Sequence, residues 1–104
     1  MDRYKIIVSK KYHNDLRNIL TYISRDLDSP YTADHLLDKI EASVKGLSTF
    51  PYRFALVNDP YLRCRGFRKC LVKKYIIFYQ IIEDKKLVYI HRILHTKQSL
   101  LNII

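Results

Sequence analysis

Residues 66–95, GFRKCLVKKYIIFYQIIEDKKLVYIHRILH, decide the fold. Tyr75 to Ile82 is an aromatic and β-branched run broken only by Gln80. That pattern suits a central strand covered on both faces, since a strand with one wet face alternates polar with apolar. Glu83-Asp84-Lys85-Lys86 reads as a polar turn. Leu87 to Leu94 then reads as a strand, with Val88 and Ile90 on one face and Tyr89 and His91 on the other. Upstream, residues 61–65 and 67–73 read as two further strands separated near Gly66.

Toward the N-terminus the period changes from two to 3.6. Residues 51–60 read as a loop bounded by Pro51 and Asn58-Asp59-Pro60. Before it, Ala33, Leu36, Leu37, Ile40, Val44 and Leu47 form one apolar stripe of a helix running from Pro30 to about Leu47. Ser29 can cap this helix, and Pro30 suits its first position, where no N–H is needed. Tyr12, Leu16, Ile19, Leu20, Ile23 and Leu27 form the stripe of an earlier helix that Ser9 can cap. The short break at Asp28-Ser29-Pro30 makes the two helices antiparallel neighbours. Residues 3–8 read as a short strand with Tyr4, Ile6 and Val8 on one face, and Thr96 to Ile104 as a tail helix edged by Leu100, Leu101 and Ile104. The order β-α-α-β-β-β-β predicts an α+β fold over residues 1–104 as one domain. In it an N-terminal strand and an antiparallel helical hairpin pack on one face of a mostly antiparallel sheet.

The chain has 104 residues, 48% of them apolar, enough to build a core without disulfides. Whole-chain disorder and low-complexity classes are excluded. The net charge of +9 is unevenly spread: residues 1–52 are nearly neutral, while residues 53–104 carry eleven basic and three acidic side chains. Such a field favours an anionic partner. Arg53, Arg63, Arg65, Arg68, Lys69, Lys73 and Lys74 form the densest stretch, relieved only by Asp59. As strands, it would align Arg63 with Arg65 and Lys69 with Lys73; it is then either a binding surface or a solvated sheet face. Cys64 and Cys70, both in this stretch, lack the spacing of a zinc site. No carboxylate cluster, no His/Cys pair at ligand spacing and no hydrolase elbow or triad appears, and no metal and no cofactor is expected. The first residues carry no secretory pattern, and the longest apolar run is far below the roughly 20 residues of a membrane helix. A cytoplasmic protein with reduced thiols and no membrane partner is expected.

Four segments carry a family resemblance: Tyr4 through Ser9 with Asp15-Leu16, Ile19 and Tyr22-Ile23; Leu47 to Pro51, ending in Phe-Pro; Gly66 to Val72 followed by Tyr75 to Tyr79; and Val88 to His95. In this order and spacing the chain resembles the RelE/ParE superfamily of toxins from bacterial type II toxin–antitoxin modules. The resemblance implies a toxin of a plasmid-stabilisation type of module. A cognate antitoxin would neutralise it in a toxin–antitoxin hetero-oligomer. The superfamily contains DNA gyrase poisons on the ParE side and ribosome-dependent mRNA endonucleases on the RelE side. Tyr22-Ile23, Phe50-Pro51 and Arg92-Ile93-Leu94-His95 are more similar to the ParE side. RelE-type enzymes tend to carry an arginine where Ile76 stands here, and a charged or tyrosine-bearing segment where Thr96-Lys97-Gln98-Ser99 stands. DNA gyrase is therefore the expected target, with ribosome and mRNA as the alternative.

Were the chain a nuclease, 2′-OH attack on phosphodiester would need an acid or base and cations for the growing charge. His95 is the candidate acid/base and Arg68 and Arg92 the candidate phosphate clamps, since a guanidinium grips phosphate bidentately. His95 can equally be a strand-end histidine bonded to backbone or a partner contact, and Arg68 can equally pair with an acid on the hairpin. Target or antitoxin binding falls to Arg53, Arg63, Arg65, Arg68, Lys69, Lys73, Lys74 and Lys97. Among nine tyrosines, Tyr52 and Tyr61 flank the basic loop and are the two candidates for base stacking. His13 and His35 are expected on solvent-facing helix surfaces, and His91 in a structural role.

Overall fold

The computed structural model describes residues 3–98. Strand β1 (Lys5–Val8) leads into α1 (Lys10–Thr21), a π-helical turn (Tyr22–Asp26) and α2 (Pro30–Gly46). A 3-10 turn (Pro51–Arg53) and a short helix α3 (Pro60–Cys64) precede β2 (Arg68–Val72), β3 (Tyr75–Ile82) and β4 (Leu87–His95). The sheet order is β1-β4-β3-β2; β1 runs parallel to β4, and the other pairs are antiparallel. The α+β architecture expected from the pattern is present, with one strand fewer.

The Ser9 hydroxyl caps α1, accepting the Tyr12 N–H at 3.0 Å, and itself donates to the His91 carbonyl at 2.6 Å. One side chain thus satisfies an orphan helix donor and ties α1 to the last strand. Pro30 occupies the first turn of α2 as expected, but the Ser29 hydroxyl donates to Thr32 Oγ1 rather than capping. Ile40, Leu47, Ile77, Tyr79, Val88, Ile90 and Ile93 form the centre of the core between the hairpin and the sheet. β3 is central and covered on both sides, because a second cluster of Val57, Leu62, Phe67, Phe78 and Leu94 lies under α3 and the preceding loop.

Three further expectations change. Residues 61–65 are not a strand: Pro60–Cys64 is helical, with Asp59 Oδ1 accepting the Leu62 N–H at 3.0 Å and Pro60 in its first turn. The cap-plus-proline signal that starts α2 starts α3 as well, and local alternation hid it. Leu27 is 56% exposed. Its N–H bonds the Tyr22 carbonyl five residues back, and this wider π turn rotates Leu27 off the α1 stripe. The tail is a turn over Thr96–Gln98; the remainder of the proposed tail helix lies outside the described residues.

Candidate functional site

The basic stretch does not form one face. Arg63 lies on α3 and Arg65 just beyond it, and helical residues two apart point to different sides. Lys69 is exposed on β2, whereas Lys73 sits in the two-residue turn to β3 with φ 56°. β2 separates Arg68 from that turn by about 15 Å of extended chain. Three groups result.

The first lies at the β2–β3 turn. The Thr96 N–H bonds the Lys74 carbonyl at 2.9 Å, and Lys97 follows next in the chain. Next to this turn is a groove of about 470 Å3. Its floor is Ile23, Leu27, Leu36 and Tyr75, and Lys39, Lys73 and Lys74 stand on its rim with no acid among the lining residues. Lys39 and the groove escape a sequence reading, because α2 supplies them to a turn more than thirty residues away. The π turn is what tips Leu27 into this groove.

The second group is on α3. The Arg65 guanidinium lies 4.6 Å from the ring centroid of Tyr61, and its carbonyl accepts Gln80 Nε2 at 2.7 Å. Gln80 Oε1 is then left for His91 Nε2, at 2.6 Å. His91 packs between Phe67 and Tyr89, and burial pushes its pKa down. His13 and His35 are exposed as expected. Cys64 is exposed nearby, and burial pushes the Cys70 thiol up.

The third group surrounds the start of β2. Arg68 Nη1 donates to the Phe54 carbonyl at 2.7 Å, and its guanidinium lies 5.0 Å from the Tyr52 ring centroid. Arg53 is bonded to the Phe50 carbonyl and lies over the Phe50 ring. Tyr79, pushed up to about 12 by burial, donates to the Pro51 carbonyl and fixes this loop on the sheet.

The residues weighed for RNA cleavage sit apart. Arg92 is held by Asp15 through two 2.6 Å hydrogen bonds, which raise its pKa. The acid on the hairpin thus pairs with Arg92, not with Arg68. His95 Nδ1 accepts the Lys97 N–H at 3.1 Å, and its ring meets Tyr75 edge-on. Among the described residues no group of three or more His, Cys, Asp or Glu could hold a metal, and no helix is long and apolar enough to cross a membrane.

A helical hairpin on a four-stranded mixed sheet, with cations gathered around the second half of the chain, defines a RelE/ParE-like toxin fold. Residues 6–100 match the model for the ParE toxin of the type II toxin–antitoxin system parDE, and the chain belongs to that family. The chromosomal ParDE system from P. aeruginosa is similar in structure at 20% identity and TM-score 0.71, over 89% of this chain and 96% of that one. The RelBE2 toxin–antitoxin complex from Mycobacterium tuberculosis is similar at 18% identity and TM-score 0.63, over 89% and 98%. A metal-bound toxin from Helicobacter pylori follows at 23% identity and TM-score 0.52, over 88% and 93%. Among curated proteins none matches in sequence.

Proposed function

We propose that this ParE-family toxin arrests growth by binding and poisoning DNA gyrase, and that a cognate antitoxin neutralises it at the lysine-rimmed groove. The separation of the would-be nuclease residues carries the target reading. Arg68 opposes Tyr79 and His95 opposes Tyr75 across β3. They are four residues apart along the strand, about 13 Å, and two strand spacings apart across it, about 10 Å. Arg68 turns to Phe54 and Tyr52, and Arg92 is engaged by Asp15. Acid–base work on one phosphodiester needs groups within hydrogen-bond reach of the same atoms. Ile76, where RelE-type enzymes tend to carry an arginine, packs against the apolar cluster under α3.

The antitoxin reading rests on complementarity. An apolar floor with three rim ammonium groups suits an amphipathic segment with one apolar edge and acidic flanks, ordered on docking.

The test is expression of the chain with plasmid topology and transcript ends measured together. Gyrase poisoning gives DNA breaks and arrest that persists in His95→Ala. Codon-linked mRNA cuts that vanish in His95→Ala or Arg68→Ala would instead establish the nuclease.

A further inference from the structure

One aromatic cluster is used by neither the antitoxin groove nor any pairing of Arg92 or His95. Phe50 and Tyr52 are 56% and 51% exposed; the Arg53 guanidinium lies 5.4 Å from the Phe50 ring centroid, and Tyr52 is anchored by a hydrogen bond. Tyr52 donates its hydroxyl to Glu83 Oε1 at 2.6 Å, and Tyr4 donates to the same oxygen at 2.7 Å. Glu83 also pairs with Lys86, whose ammonium lies 5.2 Å from the Tyr4 ring centroid. Hydrogen bonds from Lys86, Tyr52 and Tyr4 hold the Glu83 carboxylate down to about 2, so it stays an acceptor at any physiological pH. Two phenol rings therefore hang from one anchored carboxylate.

These rings and Phe50 wall a cavity of about 440 Å3, completed by Thr49, Pro51 and Arg53. That volume lies within the range of small-ligand clefts. Solvent-exposed aromatics normally gain from freedom or from burial. Here Tyr52 is about half exposed yet held by Glu83, a preorganised state that lowers the cost of binding. Each ring also carries a cation: Arg53 on Phe50, Arg68 on Tyr52 and Lys86 on Tyr4. The three basic groups stand on ring faces, and the Glu83 carboxylate is already committed to Lys86 and to the two phenols, which leaves the Arg53 and Arg68 charges uncompensated by it.

Aromatic platforms interleaved with cations suit one chemistry well. A nucleobase offers a flat π face for the rings, and the phosphates on either side of it offer charge to the guanidinium groups. We propose that the cavity walled by Tyr4, Phe50 and Tyr52 binds a base of single-stranded nucleic acid, with Arg53 and Arg68 taking the flanking phosphates. Stacking of this kind tolerates any base, because each has a π face. Duplex is excluded because its bases are not free to enter. This site is distinct from the antitoxin groove and independent of which target the toxin has.

The test is equilibrium binding of the full chain to fluorescent oligothymidylate, oligouridylate, a duplex, and an abasic strand of equal length. A single strand of DNA or RNA is expected to bind, the tighter of the two naming the natural ligand, with the duplex and the abasic strand at least tenfold weaker. Tyr52→Ala and Phe50→Ala are expected to weaken binding by about 5- to 150-fold each, the range for losing one base–aromatic stack. Tyr52→Phe, which keeps the ring and loses the Glu83 bond that holds it in place, is expected to bind more weakly than wild type but more tightly than Tyr52→Ala, since the stack remains and only its preorganisation is lost. Both alanine variants remove exposed rings, so unchanged thermal midpoints check the fold. Equal binding of abasic and base-bearing strands, or alanine variants that bind as wild type does, would overturn the proposal. So would a cavity that ignores every oligonucleotide but is shielded by the antitoxin, which would make it a protein-binding surface.

Discussion

Asp15 and Arg92, 77 positions apart, are joined by two hydrogen bonds of 2.6 Å, from Nε and Nη2, with side chains only 13% and 15% exposed. Asp15 Oδ2 also accepts the Ile93 N–H at 3.3 Å, beyond the point where β1 stops pairing with β4. The carboxylate thus stands in for a missing strand neighbour and locks α1 to the sheet. Removing one partner leaves a guanidinium half-desolvated without its counter-charge. Asp15→Asn is expected to cost about 3 kcal/mol and to lower the thermal midpoint by about 10 °C or more. A midpoint within 3 °C of wild type, small against about 10 °C, would show the pair to be ornamental.

Leu27 and Ile40 separate binding from folding. Ile40 is fully buried, so Ile40→Ala is expected to cost about 2–5 kcal/mol. Leu27 is over half exposed on the groove floor, and Leu27→Ala is expected within about 0.5 kcal/mol of wild type. Antitoxin affinity should respond in the opposite order, with Leu27→Ala weakening it. Calorimetric titration of both variants decides.

Lys73 holds a left-handed backbone that lysine tolerates poorly. Lys73→Gly is expected to raise stability by about 1 kcal/mol while removing one rim charge. Lys73→Glu with Lys39→Glu should slow antitoxin association by about tenfold or more at low salt, and the difference should shrink at high salt. Stopped-flow association at two ionic strengths tests this. A lysine whose removal stabilises the fold but harms nothing else would count against the groove.

Burial depresses the pKa of His91, so the folded state holds the neutral ring. Below the unfolded value, about 6.5, the unfolded chain binds a proton the folded chain refuses. Stability is therefore complete above that value and is lost as pH falls through it toward the lower folded one. The drop in thermal midpoint between pH 7 and pH 5 should be smaller in His91→Phe than in wild type. Glu83, also depressed, acts only at more acid pH: its contribution is present above about 4.5 and lost as pH falls toward about 2. Matching slopes in the two proteins would mean that His91 does not titrate with folding.

Periodicity was enough to place the hairpin stripes, central β3 and the Ser9 cap, because each depends on neighbours within a few residues. α3 was missed because five residues of helix offer no stripe to count, and only Asp59-Pro60 marks it. The groups around the sites were less legible. The Asp15–Arg92 pair, the shared Glu83 anchor and the meeting of Lys39 with Lys73 all depend on tertiary contacts between distant segments. The seven basic residues of 53–74 looked continuous in sequence; a helix, a strand and a turn divide them. Basic surroundings make Tyr52 a stacking candidate from sequence, whereas Tyr4 and Phe50 carry no such local signal, because only tertiary contacts bring them to it.

The parallel pairing of β1 with β4, Lys5 opposite Leu87, has a consequence for the birth of the molecule. Among the described residues β1 is at the sheet edge with β4 as its one strand neighbour, so a strand made early waits for one made some eighty residues later. At ribosomal speeds of about 5–20 residues per second, that wait lasts roughly 4–16 seconds. Throughout it the Asp15 clasp is open too, since Arg92 belongs to the same late segment. Until that late segment emerges the sheet cannot close, so the nascent chain spends those seconds open to proteases and chaperones.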